Sequence, residues 1–352
     1  MDSLNWCLSV VMHIAIGLVL LIYLPISLVL RLLYWVFVRP FVKEDLRGKV
    51  VLITGASSGI GERLAYQYAR RGASLSLVAR REQALRAVAK TARDLGAPDV
   101  IALPADISSA EEAKRIVNET IAHFGQLNHL VANAGIWSNC SFDEITNITA
   151  FTRMMFYSGC ELLGSVYPTY YALPHLKASC GRIIVTTSVA GRVPTARMSF
   201  YNASKAAEIR FYETLRSELG KQVQITILIP GYVESELTKG KALQKEGEVR
   251  VNEEARDIQI GPFPVGHTEM MAKIAVDSAC RGEEYVTWPS WYSPFHMLMC
   301  LAPELVNWFS IAFYVTKEGN SLSKRILEAT GAKKFLYPAS IRSPKIKTEM
   351  NK

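Results

Sequence analysis

In the stretch SFYNASKAA a tyrosine and a lysine stand four residues apart, Tyr201 and Lys205. On a helix those positions share one face, a turn apart. An ammonium beside a phenol favours the phenolate, because an opposite charge lowers an acid's pKa. A tyrosine tuned in this way can take and give a proton near neutral pH. The same pair would serve equally as a packed ring and a solvated charge, so the surrounding elements must decide between the readings.

Those elements begin at residues 48–82, GKVVLITGASSGIGERLAYQYARRGASLSLVARRE. Residues 49–54 form a short apolar run, the pattern of a strand buried on both faces. Ile60, Leu64 and Tyr68 then recur at helical spacing, and residues 74–79 read as a second strand. The turn between first strand and helix carries Gly55, Ser57, Ser58, Gly59, Ile60 and Gly61. Glycines there let backbone approach a pyrophosphate, and the helix N-terminus offers N–H groups to it. NAD binders place a carboxylate at the end of the second strand. Here the residues are Ala79, Arg80 and Arg81. No acid repels a 2′-phosphate, and the fork of Arg80 could pair with one. The expected cofactor is NADP(H).

Strand and helix patterns continue to alternate. Residues 100–104 read as a strand and 110–124 as a helix; LNHLVANAG, GRIIVTTSVAG, VQITILIPG and EEYVTWP read as further strands. Repetition of this kind means an α/β fold, a doubly wound parallel sheet of Rossmann type in one domain. Ligands bind such sheets at the carboxyl ends of the strands. Asp106, Asn133, Ser188 and the turn at Pro230 and Gly231 all fall at those ends.

Composition narrows the alternatives. The chain has 352 residues, 49% hydrophobic and 20% charged, with mean hydropathy +0.12 and formal net charge +8. Nine Lys or Arg against three Glu fall in residues 316–352. A basic tail can meet anionic lipid or nucleic acid, but it reads first as a solvated end, and no nucleic-acid partner is expected. Six cysteines lie scattered without a CxxC pair, and six histidines are equally dispersed. Neither a disulfide framework nor a metal site is expected, and a reducing compartment is favoured.

Residues 4–42 are apolar almost throughout, with no charge between residues 6 and 30. That exceeds the roughly 20 residues needed to cross a bilayer. Pro25 interrupts the run, allowing either one tilted span or a hairpin within one leaflet. Arg31, Arg39, Lys43, Arg47 and Lys49 follow it against Glu44 and Asp45. The basic flank should stay cytoplasmic, which places the domain in the cytosol; the alternative is a type II protein with a lumenal domain. Sequons at Asn118, Asn139, Asn147 and Asn202 are too common a pattern to argue for the lumen.

Taken together, TGASSGIG at 54–61, ADIS around Asp106, NAG at 133–135, Ser188, YNASK at 201–205 and PGYVES after the sixth strand resemble the short-chain dehydrogenase/reductase family. The resemblance spans about residues 46–290. With its apolar N-terminus and Arg80, the chain is most similar to the 11β-hydroxysteroid dehydrogenase-like group, and within it to the plant oil-body steroleosins. The resemblance implies Tyr201 as general acid/base and Lys205 as holder of the nicotinamide ribose. It implies Ser188 and Tyr201 as contacts of the substrate oxygen, and Asp106 near adenine. Asn133 would line the cofactor through its backbone, and Pro230, Val233 and Ser235 would cover the nicotinamide end. It further implies a homodimer through about residues 155–177 and 202–219, and an endoplasmic-reticulum or lipid-droplet location.

One part of the pattern is missing. The family usually carries an asparagine between NAG and the serine, supporting a proton relay to the lysine. No asparagine occurs between Asn147 and Ser188. Counting back from Gly164 puts Glu161 in its place, whereas counting forward from NAG lands near Tyr157. Glu161 could serve the relay, activity could be reduced, or the segment could be a local anomaly; slow turnover is the expectation.

The substrate side is legible in outline. Residues 232–263, rich in charge, should form a partly solvated lid. Residues 288–315 are aromatic and apolar, with Glu304 their one acid or base besides His296. They read as helices covering the core, or as a lipophilic mouth touching a membrane. The domains expected are an anchor at 1–43, a dehydrogenase domain at 44–290 and an apolar aromatic segment with a basic tail at 291–352. The expected function is NADP-dependent interconversion of hydroxyl and ketone on a hydroxysteroid or sterol. The alternative is a catalytically weak coat protein of lipid droplets or the endoplasmic reticulum.

Overall fold

A computed structural model of the protein describes residues 2–39, 41–151, 162–315 and 321–342. The chain forms two compact units, Met1–Glu44 and Asp45–Lys352.

In the first unit, α1 (Asp2–Leu33) continues into a π-helical turn, Tyr34–Val38. Pro25 lies inside α1 without ending it. A proline removes one backbone donor, while the rest of the apolar ladder is kept. A single helix forms rather than a hairpin. Its stretch Leu4–Val38, 35 residues containing an 18-residue window of mean hydropathy 2.5, is long and apolar enough to cross a membrane.

The second unit is built on a parallel sheet. Its strands are β1 (Val50–Thr54), β2 (Ser74–Ala79), β3 (Val100–Pro104), β4 (His129–Ala132), β5 (Arg182–Thr186) and β6 (Gln224–Pro230). A short antiparallel ribbon follows, β7 (Lys241–Leu243) with β8 (Val249–Val251), and then β9 (Tyr285–Trp288). Among the described residues the main sheet has seven strands in the order β3-β2-β1-β4-β5-β6-β9. Alternate side chains explain its unbroken apolar strands. Val51 and Ile53 of β1 enter one core with α2 (Gly59–Ala69), α3 (Glu82–Asp94) and, later in the chain, the helix Thr268–Cys280. Val50 and Leu52 enter the opposite core with α4 (Ala110–Phe124), α5 (Leu162–Ala178) and α6 (Ser199–Leu219). Burial on both faces leaves no polar face to alternate with. The strand order reverses direction between β1 and β4, the switch point where such sheets open a crevice.

The charged segment after β6 folds more than its composition suggests. It contains the β7–β8 ribbon and α7 (Glu253–Ile260), capped by the Asn252 side chain, which accepts from the Ala255 N–H at 2.9 Å. Ala242 and Leu243 are buried while β8 faces solvent. Beyond α8 (Thr268–Cys280) and β9 come α9 (Ser293–Leu301), α10 (Pro303–Tyr314) and α11 (Leu322–Thr330). Part of the tail expected to be solvated packs instead, within residues 321–342. Leu327, Tyr337 and Ile341 bury against Ile260 and Val265, and the fully buried Arg256 of α7 donates to the Ile341 carbonyl at 3.2 Å. The apolar residues spaced through this basic segment supply the reason.

Candidate active site

α6 opens at Ser199, so Tyr201 sits in its first turn and Lys205 one turn below. The Lys205 ammonium lies 5.9 Å from the centre of the Tyr201 ring. It donates to the Thr186 carbonyl at the end of β5, at 3.4 Å, and to the Glu208 carboxylate at 2.9 Å. Lys205 is 3% exposed and Glu208 1%. Ser188 follows β5 as the cap of a short turn, Val189–Gly191, its hydroxyl accepting from the Ala190 N–H at 3.1 Å. Gly191 allows this turn to lean on α6: a Cβ there would sit 2.7 Å from the Lys205 carbonyl carbon. A glycine thus brings the serine's turn against the lysine's helix.

Tyr201, Lys205 and Ser188 line a cavity of about 1760 Å³. Gly55, Ser57, Ser58, Gly59, Ile60, Arg80, Asp106, Asn133, Pro230, Val233 and Ser235 line it too. Of the residues singled out in the sequence, Gly61 alone stands back from the wall. Its role is contact: a Cβ would lie 2.3 Å from the Gly55 carbonyl oxygen and 2.6 Å from the Asn133 side chain. Its absence lets the strand-to-helix turn close down beside β4. The Thr54 hydroxyl ties the same place together, accepting from the N–H groups of Asn133 at 3.0 Å and Ala134 at 3.4 Å. Asp106 is held in the wall as its carboxylate accepts from the Ser108 N–H and hydroxyl.

Two arginines, Arg80 and Arg81, meet the cavity at the far end of the glycine turn. Arg80 reaches the cavity wall but is exposed. Arg81, half-buried, turns inward, donating to the Ser58 hydroxyl at 2.7 Å, the Ser57 hydroxyl at 3.3 Å and the Glu236 carboxylate at 2.7 Å. Glu236 also accepts from Lys241 at 2.9 Å. Burial raises its carboxyl pKa, but the bonds from Lys241 and Arg81 outweigh this and hold it below the usual value. Two adjacent arginines cannot be told apart in the sequence; the start of α3 decides which one faces in.

The other half of the cavity is aromatic. Tyr232, Phe263, Tyr292, Phe295, Trp308, Phe309 and Tyr314 contribute. Tyr292 stacks on Trp291 with ring centres 3.8 Å apart, and Phe309 on Phe313 at 4.1 Å. Burial pushes the Tyr232 phenol up to about 12, so it remains neutral and donates to the Gln259 carbonyl at 2.7 Å. α9 and α10 meet at a 117° bend, and Leu298, Leu305 and Trp308 line the cavity yet remain exposed. They form an apolar rim. The sequence suggested this lipophilic wall in outline, but not its partners, which come from four separate segments.

The wall fits a dinucleotide on its own evidence. A glycine cradle that a Cβ would fill lies beside the α2 N-terminus, whose cap Ser58 makes no side-chain capping bond. Among the described residues, the buried Asn133 Oδ1 and Thr186 Oγ1, both from cavity-lining residues, have no hydrogen-bond partner within the protein. The volume exceeds the roughly 300–1,000 Å³ of a single small-ligand pocket, leaving room for cofactor and substrate together. No group of metal ligands occurs among the described residues. The segment where the family's asparagine is missing, with Tyr157, Gly159 and Glu161, lies outside the described residues.

Similarity to known proteins agrees with this geometry. A family model, short chain dehydrogenase, matches residues 49–246. The chain is 48% identical over 331 residues to 11-beta-hydroxysteroid dehydrogenase 1A of Arabidopsis thaliana, covering 93% of this chain and 94% of that one. It is 46% identical over 331 residues to 11-beta-hydroxysteroid dehydrogenase A of Arachis hypogaea, covering 93% of each. In fold it is similar to a short chain dehydrogenase/reductase of Burkholderia phymatum solved with NAD, with TM-score 0.66, 24% identity and coverage of 74% and 96%. It is similar also to an alcohol dehydrogenase of Thermococcus sibiricus solved with 5-hydroxy-NADP, with TM-score 0.56, 26% identity and coverage of 70% and 97%. A match over more than half of its length, with relatives nearly half identical along almost all of it, makes this chain a member of the short-chain dehydrogenase/reductase family.

Proposed function

We propose that the protein is a membrane-anchored, NADP(H)-dependent oxidoreductase that interconverts a hydroxyl and a ketone on a lipophilic substrate of the hydroxysteroid or sterol class. The observation that carries the reading is the convergence, in one cavity, of Tyr201, Lys205 and Ser188 with a glycine cradle on one side and an aromatic wall on the other. The cofactor, when bound, supplies or accepts hydride. Ser188 holds the substrate oxygen, and Tyr201 gives it a proton in reduction or takes one in oxidation. Lys205 holds the nicotinamide ribose and favours the phenolate. Gly55, Ser57, Ser58, Gly59 and Ile60 receive the pyrophosphate with the α2 N-terminus, and Gly61 lets their turn close. Asp106 and Asn133 border the adenine side, and Pro230, Val233 and Ser235 cover the nicotinamide. Arg81, with Arg80, takes the 2′-phosphate that distinguishes NADP from NAD.

Residues 1–43 form the anchor in this reading, 44–290 the dehydrogenase domain, and 291–352 an apolar cover with a basic tail. The relatives' names support the steroid-like substrate. The apolar run of α1 supports anchoring to the endoplasmic reticulum or a lipid droplet, and its basic C-terminal flank supports a cytosolic domain. A homodimer through α5 and α6 belongs to the same reading. Calorimetry with NADPH and NADH, followed by a turnover screen over hydroxysteroids and other lipophilic alcohols, tests it. Failure to bind either carrier rejects it. A second reading, a catalytically weak coat protein, is favoured by the missing asparagine between Asn147 and Ser188; cofactor binding without turnover across the screen would select it.

A further inference from the structure

The buried neighbour of the lysine has no part in the reaction described above. We propose that Glu208 is a positioning residue that keeps the Lys205 ammonium charged in its buried seat, so that the lysine can serve a cofactor above neutral pH. The cofactor clause rests on the proposed function; the charge clause does not.

An isolated lysine buried to this degree tends to lose its proton, because burial penalises the charged form. Here the ammonium is 3% exposed and meets a carboxylate 1% exposed at 2.9 Å. The two residues lie three apart on α6, so the helix itself sets their approach. Glu208 and Tyr201 from its own helix and the Thr186 carbonyl from β5 are among the groups that face the ammonium. Farther along α6 lies the buried phenol of Tyr212, which donates to the Ser165 carbonyl at 2.9 Å and lies 2.8 Å from the Thr169 hydroxyl of α5. Burial raises the Tyr212 phenol beyond the range of a working acid, so it remains neutral. Glu208 thus places a carboxylate in direct contact with the ammonium, where it can sustain the charge. Lys205 lines the cavity and Glu208 does not, so the carboxylate acts through the lysine.

A purely structural Glu208 would change stability equally at every pH. A charge-keeping Glu208 would not. In Glu208→Gln, with the amide keeping the shape, Lys205 should become neutral in the folded protein as the pH rises, while it stays charged in the unfolded chain. Unfolding then takes up a proton, and stability rises with pH wherever the unfolded state binds more protons. The variant's deficit relative to the native chain should be largest near pH 6 and shrink towards pH 9, by up to about tenfold in the unfolding constant per pH unit. NADPH affinity, read by calorimetry, should match the native value within about threefold at pH 6 and be at least about tenfold weaker at pH 9, since each pH unit above a lost ammonium's pKa is worth up to tenfold. Glu208→Asp should restore the native trend.

Parallel stability curves for native and Glu208→Gln protein from pH 6 to 9 overturn the proposal. If native protein binds neither NADPH nor NADH, the proposed function falls and the stability curves alone decide. If Glu208→Gln does not fold, the double change Lys205→Met with Glu208→Leu is expected to fold, because an apolar pair can replace a buried ion pair. A double variant that also fails to fold overturns the proposal.

Discussion

The guanidinium of Arg81 meets the carboxylate of Glu236 at 2.7 Å across the mouth of the glycine turn. Arg81 precedes α3, and Glu236 belongs to the segment after β6, so the contact joins two sides of the cofactor cleft. The same guanidinium holds the Ser57 and Ser58 hydroxyls. A planar fork in this place suits a phosphate better than a lysine would.

Removing that fork should therefore be felt by one cofactor and not the other. Arg81→Ala is expected to weaken NADPH at least about tenfold, in line with the ~1.5–3 kcal/mol of a charged hydrogen bond, and to leave NADH within about twofold. Arg80→Ala should act in the same direction and less strongly, because Arg80 is exposed. Calorimetry with both carriers checks the order. Equal losses for NADPH and NADH would remove the basis for assigning the 2′-phosphate to this corner.

The pH dependence of the same contact follows from the lowered carboxyl pKa of Glu236. A group depressed on folding contributes stability above its unfolded value, and that contribution is lost as the pH falls through the lower folded value. The ordinary unfolded glutamate value is about 4.3. Native protein should thus exceed Glu236→Gln in stability at pH 7, and the difference should begin to fade below about pH 4 and vanish once the pH passes the lower folded value, where both carry a neutral side chain. Urea unfolding at a series of pH values measures it; a gap that stays constant down to pH 3 would contradict the assignment.

At the chemical centre, Tyr201→Phe keeps the ring and removes the proton. Turnover is expected to fall by about 10²- to 10⁴-fold, the usual worth of a positioned acid or base. NADPH affinity should change little. Ser188→Ala should reduce kcat/KM for substrate by a smaller factor, again without loss of cofactor. A Tyr201→Phe protein that turns over at the native rate would show that another group moves the proton.

How much of this was visible beforehand depended on the range of the contacts involved. Strands β1 to β3 and helix α4 are legible because their apolar patterns are local: β1 is buried along its whole length, and α4 buries one face through Ala113, Ile116 and Val117. The glycine turn was legible because a turn between strand and helix restricts its residues, and Gly61 has the close backbone contact that a phosphate-cradling turn predicts. Glu208 was open to view three places after Lys205, but a glutamate on a helix usually faces solvent; only the packed helix shows it 1% exposed. The ribbon β7–β8 is not legible in the sequence, because β8 is three exposed residues set among charged neighbours. The aromatic wall needed tertiary structure, because Tyr232, Phe263, Tyr292 and Phe309 meet across long separations in the chain.

The rim of that wall gives the last prediction. Leu305 is 55% exposed and Trp308 67%, and both line the cavity beside the 117° bend between α9 and α10. Exposed apolar residues gathered at a cavity mouth mark an interaction surface, and tryptophan favours the boundary between lipid and water. If substrate enters from lipid, replacing both residues with glutamate in the full-length chain should raise KM several-fold for a sterol presented in vesicles. A small water-soluble alcohol, tested in the same protein, should keep its KM within about twofold, because its route does not cross the rim. α1, the anchor in the proposed function, is unchanged in the variant, so membrane attachment itself is not the variable: carbonate washing should leave both proteins in the pellet, since a stretch exceeding the roughly 20 residues of a span should hold without the rim. Unchanged KM for the vesicle-borne sterol would mean that α9 and α10 cover the core without guiding substrate.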